Sequence, residues 1–264
     1  MDRWIQLLKK EIRLGFPAFL LPVFTFIIVA GIAFYFGQRE GLGFDCVLMV
    51  AVIATWMQIF YLIYYLFYSL QSERKTLHLW LHNPMSAAAL LSAKIFAGLV
   101  SMLATLVITG GTSLIALTFS NALTIDIQKT MIVEVGFWGA IHIILLAVSL
   151  GIGFTFFWII FLLFTRSFGT FISFLATFVI FIVVASGLER FSNTKVFEAL
   201  TKWGEFKLEN MITSLNVSVG QANAELFTEI GQISLYIGTY VYETIFTLFV
   251  FFISCWLLDR KVEV

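Results

Sequence analysis

"GFWGAIHIILLAVSLGIGFTFFWIIFLLFTRSFGTFISFLATFVIFIVV", residues 136–184, holds one strongly basic side chain, Arg166, and no acidic one. A bilayer core of about 30 Å takes about 20 apolar residues in a helix, so this run is long enough to cross twice. Lipid admits only helices and closed barrels, because every backbone N–H and C=O must be paired internally. Barrels show short alternating segments, and none occur here. The stretch therefore reads as two spans, 135–164 and 169–187, separated by Thr165-Arg166-Ser167. The first is too long for one straight crossing and must tilt, bend or protrude. Gly151 and Gly153 inside it would ease a bend or a close helix contact.

Four further runs carry the same signal: 16–36, 46–70, 95–119 and 238–258. The 264-residue chain is 60% hydrophobic and 12% charged, whereas soluble domains are about 25% charged. The fold class is thus an all-α integral membrane protein with six transmembrane helices. The chain reads as one membrane domain over 1–264. Its net charge of zero names no partner, and nothing in it points to nucleic acid. The first apolar run is too long for a signal-peptide core and lacks a small-residue cleavage site, so the N-terminus is expected to be retained. Cys46 and Cys255 fall near opposite membrane faces and are expected to pack rather than pair.

Lys and Arg set the orientation. With the N-terminus inside, Arg3, Lys9, Lys10, Arg13, Arg74, Lys75, Lys94, Arg166, Arg260 and Lys261 are cytoplasmic. Arg39, Lys129, Arg190, Lys195, Lys202 and Lys207 lie outside. The positive-inside rule selects N-in and C-in. Residues 2–16 read as an amphipathic interfacial helix, with Trp4, Ile5, Leu8, Ile12 and Phe16 on one face and Lys9, Lys10 and Arg13 on the other. Pro17 would begin the first span. The polar segment 188–237 faces outward. Apolar residues from Phe197 to Leu215 recur at helical spacing, which predicts one or two short helices there.

No Gly-x-x-x-x-Gly-Lys-Ser/Thr occurs, so ATP, if used, is bound by another chain. The charged stretch "SERKTLHLWLHNPMS", residues 72–86, interrupts this apolar chain between the second and third spans. Ser72 suits an N-cap, Leu77, Trp80 and Leu81 supply an apolar side, and Asn83-Pro84 supplies a stop. Ser86 restarts a helix. A short helix along the inner surface, with charges on one face, is suited to docking; the plainer reading is a positive-inside loop.

Glu73, Arg74, Thr76, Leu77, Pro84, Ser86 and Lys94 resemble the corresponding segment of ABC-2 type ABC transporter permeases. The likeness is specific over about 72–94, and elsewhere it lies in layout alone. It implies that 72–86 is a coupling helix, with Glu73, Arg74, Lys75, Thr76, Leu77, His78, Trp80, Leu81 and Pro84 meeting a P-loop ATPase. It also implies a smaller contact at Arg166 and bracing by the interfacial helix. ATP and Mg would sit on the ATPase subunit, and a second permease copy or paralogue would complete the membrane part. The expected function is ATP-driven export from a bacterial plasma membrane. His78, Trp80 and His82 depart from the motif and leave the ATPase type open.

The residues leave other readings standing. Gly111-Thr112-Ser113 and His142 lie at similar depth and could form the Ser–His dyad of an intramembrane protease. Gly110-Gly111 equally suits tight packing, and a lone His142 equally suits a packing role. Glu134 and Glu243 sit near the outer ends of spans, where a carboxylate reaches water. Asn216-Val217-Ser218 matches a glycosylation sequon. A scaffold or immunity protein that binds without transport is a further alternative. The chain has 30 Phe, 8 Tyr and 7 Trp, densest in "WMQIFYLIYYLFY", residues 56–68. Such a wall leans toward hydrophobic or amphipathic cargo, a peptide, toxin or antibiotic among the candidates.

Overall fold

The computed structural model describes residues 2–73, 85–120, 129–219 and 224–262. Helix α1 spans Asp2–Arg39 and α2 spans Gly43–Met57; a 3-10 turn at Gln58–Phe60 leads into α3, Tyr61–Glu73. Then come α4 (Ala87–Phe119), α5 (Lys129–Ser192) and α6 (Lys195–Thr201). Strands β1 (Glu205–Val219) and β2 (Ala224–Tyr236) precede α7 (Ile237–Leu257), which ends in a π-turn at Leu258–Val262. Five stretches among the described residues are long and apolar enough to cross a membrane. The multi-pass helical character expected from composition is therefore present.

Within α5 the helical backbone breaks at Gly169, at φ 72° and ψ 170°. Phe157 and Phe181 lie on either side of it, and their rings are 5.3 Å apart. On an unbroken helix they would be about 36 Å apart at about 1.5 Å per residue. The chain therefore folds back at Gly169, a backbone conformation that is essentially open to glycine alone. The reversal comes just after Thr165-Arg166-Ser167, the expected turn; these residues are still helical, and the Thr165 hydroxyl donates to the Phe161 carbonyl.

Two clusters place the ends of the bundle. Leu7, Leu90, Leu91, Ile159, Cys255 and Leu258 bury one another, with Trp4, Met85 and Leu163 packed against them. The chain start, the start of α4, the Gly169 turn and the end of α7 thus share one end. At that end Asp259 accepts a hydrogen bond from the Ala87 N–H at 3.1 Å, so the C-terminal π-turn places a carboxylate at a helix N-terminus, where the dipole favours it. Ser86 caps the same helix through the Ala89 N–H. At the other end Phe44 stacks on Phe119, and Ser120 donates to Asp45. Phe191, Phe197 and Tyr242 meet there too. The principal core lies between these ends, around Tyr61, Leu62, Tyr65, Leu66, Met102 and Ala147. Cys46 and Cys255 are both free thiols, one toward each end.

Several expectations are corrected. Residues 2–16 are no separate interfacial helix: α1 continues through Pro17 and Pro22. The side it turns to the protein differs from the apolar face expected to lie on the membrane. Leu7, Glu11, Gly15 and Ala18 are buried, with Trp4, Leu8 and Ile12 partly so, whereas Ile5 and Phe16 are exposed. Lys9, Lys10 and Arg13 are exposed, as predicted. Gly15 and Ala18 allow close approach to the bundle on that side, while Ile5 and Phe16 stay off the protein. Ser72 is no N-cap; it lies in the last turn of α3 and donates to the Ser69 carbonyl. Segment 188–237 is helical only as far as Thr201. Gly204, at φ 67°, ends that part, and an antiparallel hairpin follows, with Glu205 opposite Tyr236 and Val219 opposite Ala224. Leu215, Val217 and Val219 alternate with Asn216 and Ser218, the period of two that a strand requires; the helical spacing read across this region belongs to α6 alone. Among the glycines, Gly151 makes a close helix contact, since an added Cβ would lie 2.7 Å from Leu62, while Gly110, Gly111 and Gly153 face open space.

Candidate functional site

Arg74, Lys75, Thr76, Leu77, His78, Trp80, Leu81, His82 and Pro84 lie outside the described residues. The helices that flank them are described. Glu73 ends α3, and Ser86 begins the climb into α4.

Just inside those flanks, three helices converge on a buried ion pair. Lys94 of α4 places its Nζ 2.8 Å from Glu11 Oε2 of α1, with side chains 0% and 1% exposed. The same ammonium donates to Ser69 Oγ of α3 at 2.9 Å, and Ser69 donates on to Glu11 Oε2 at 3.3 Å. Glu11 Oε1 has no hydrogen-bond partner among the described residues. One turn away the Tyr65 hydroxyl donates to the Glu11 backbone carbonyl at 3.1 Å. Gly15 makes that possible: a Cβ there would overlap the Tyr65 ring. Trp4 adds a tie to α4, its Nε1 donating to Ser92 Oγ and its ring standing edge-on to Phe96.

Burying two charges costs several kcal/mol per ion unless they are closely paired and otherwise hydrogen-bonded. This arrangement locks α1, α3 and α4 in one register, because a shift of any one helix leaves a bare charge in an apolar setting. By sequence alone Lys94 counts as a cytoplasmic charge, and neither Glu11 nor Ser69 is singled out as its partner. A signal was present: a Lys well inside an apolar run calls for a buried counter-charge, and Glu11 is spaced with Leu7, Gly15 and Ala18 on one helix face.

A second feature lies midway along the bundle. A lateral cleft of about 530 Å³ opens between α1, α2, the 3-10 turn and α4. Leu21, Val29, Val50, Ile53, Met57, Phe60 and Ile108 form its walls. Phe26, Gln58, Tyr61, Thr105 and Thr109 are its buried floor. Gln58 and Thr105 are joined by a hydrogen bond of 3.0 Å. The lining includes Met57, Phe60, Tyr61 and Tyr64 of the aromatic stretch singled out in the sequence.

Arg166 is exposed near the Gly169 turn. Ser113 donates its hydroxyl to the Thr109 carbonyl at 3.0 Å, and His142 stands edge-on to Tyr240. No hydrogen bond joins Ser113 to His142. Glu243 is half-buried near the start of α7. Glu134 falls on α5 and Asn216 on β1.

No protein-family model, no curated protein and no solved structure matches the chain.

Proposed function

We propose that this chain is the membrane-spanning half of an ATP-driven exporter of the ABC-2 type, with six crossings and both termini inside. The sixth crossing comes from the reversal at Gly169, which divides α5 into two antiparallel arms. The observation that carries the reading is the Glu11–Lys94–Ser69 cluster. It ties both flanks of the charged segment 72–86 to α1. Force applied to that segment by an ATPase then moves three helices as one body, which is what a coupling lever requires. Only contacts that differ between two states can shift an equilibrium. The Gly169 turn and Arg166 share that end of the bundle, in keeping with a second, smaller contact.

In this reading a P-loop ATPase subunit binds ATP and Mg, and a second permease copy or paralogue completes the transporter. The site is the bacterial plasma membrane, and the cargo is hydrophobic or amphipathic. The protease alternative has no hydrogen bond between Ser113 and His142 behind it; the Ser113 hydroxyl donates to the Thr109 carbonyl. The test is charge reversal at Arg74 and Lys75 together. Loss of ATPase association and of transport, with the chain still folded, is the expected result; retention of both refutes the coupling assignment.

A further inference from the structure

The lateral cleft has walls of one chemistry and a floor of another. We propose that it binds a neutral, apolar molecule carrying one amide or carbonyl group, held at the depth of Gln58. This names the substrate class of the exporter reading and in that respect rests on it; as a binding site it requires only that α1–α4 lie in lipid.

Three observations converge. First, no charged side chain lines the cleft among the described residues. Gln58 lies midway between the ends of the α2–α3 stretch, Gly43 and Glu73, so an ionised ligand group there would be desolvated and unpaired. Second, the floor holds more hydrogen-bonding capacity than the protein uses. The Thr105 hydroxyl has one hydrogen and three oxygens in reach: Gln58 Oε1 at 3.0 Å, Met102 O at 2.8 Å and Ser101 O at 3.3 Å. No other hydrogen bond reaches the Gln58 side-chain amide among the described residues, so its N–H groups are left for the occupant of the cleft. An acyl chain offers nothing to that amide, whereas a ligand amide or carbonyl does. Third, the helical hydrogen-bond ladder is altered on both walls at this level. The 3-10 turn at Gln58–Phe60 interrupts the α2–α3 stretch, a feature of functional hinges and of strained sequences alike. Across the cleft Pro22 has no N–H to give the turn before it. A 3-10 turn facing a proline at one height, around an under-used amide, describes a built site rather than a packing fault. Its volume lies in the range of small-molecule pockets, about 300–1,000 Å³, and its exposed rim at Leu21, Ile53 and Met57 admits a ligand from the lipid side.

The test uses the purified full-length chain in phosphatidylcholine nanodiscs, without an ATPase. The probe is a long-chain primary amide with a diazirine on its alkyl chain; a matched alkane diazirine is the control. Amide labelling is expected to map to α1 and α2 around the cleft. Gln58→Leu is expected to lower it about tenfold, the equivalent of one hydrogen bond in a dry site. Ala54→Phe, which fills the cleft from a lining position, is expected to abolish it. Labelling spread evenly over lipid-facing helices and indifferent to Ala54→Phe overturns the site. Cleft labelling equal for amide and alkane probes and indifferent to Gln58→Leu overturns the ligand class and leaves an acyl chain as occupant. Binding as predicted in a chain that never associates with an ATPase would retain the site and reject the exporter.

Discussion

Removing one member of the Glu11–Lys94 pair leaves the other buried and alone. Both side chains are at most 1% exposed and 2.8 Å apart, so little water is at hand to screen the survivor. Lys94→Met keeps most of the volume and removes the charge; Glu11→Gln does the same on α1. Each single change is expected to cost about 3–5 kcal/mol, the range for breaking a buried pair. The double variant removes both desolvation costs together and is expected to recover at least about 2 kcal/mol of the summed loss. Glu11 Oε1, already without a hydrogen bond, adds to the burden of Lys94→Met and makes it the more damaging single change. The assay is reversible unfolding in mixed micelles, run as a double-mutant cycle. Additive effects below about 0.5 kcal/mol each would refute the reasoning, because they would mean that water reaches the pair or that the helices do not meet there.

Gly169→Ala forces a side chain into a glycine-only conformation and is expected to cost about 1–3 kcal/mol; cysteine accessibility at Arg166→Cys and Glu189→Cys reports whether the two arms still reverse. Gly15→Ala drives a methyl into Tyr65 and is expected to lose about 1–3 kcal/mol, with Tyr65→Leu recovering part of it in the same unfolding assay. Gly151→Leu would strike Leu62 and is expected to lower thermal stability by a similar amount, whereas Gly153→Leu, which faces open space, is expected to leave it unchanged. Asp259→Ala removes the carboxylate from the Ala87 N–H and is expected to cost about 1 kcal/mol, a typical cap.

The apolar runs were legible because lipid leaves the backbone almost no choice: 16–36 through 238–258 all fall on helical backbone, 46–70 across α2, the 3-10 turn and α3, and 135–164 and 169–187 on the two arms of α5. Helix faces were less legible. The apolar face expected to lie on the membrane includes Ile5 and Phe16, which are exposed, while the face that packs on protein carries Leu7, Glu11, Gly15 and Ala18; hydrophobicity does not separate a lipid contact from a helix contact. Glu11 was hidden for the same reason, since its partner Lys94 lies far along the chain and only the fold brings them together. The hairpin was missed because Phe197 and Leu200 belong to a real helix whose period was carried past Gly204, where the chain changes to alternation. The cleft had a partial signal in the aromatic stretch 56–68; the hydrogen bond from Thr105 to Gln58 depends on two helices meeting and had none.

Purification of the chain from its own host in a mild detergent, with mass spectrometry of what accompanies it, tests the exporter reading most directly. The account predicts a stoichiometric P-loop ATPase that is lost when Arg74 and Lys75 are reversed in charge. A chain recovered alone, reproducibly and with its function intact, would contradict it.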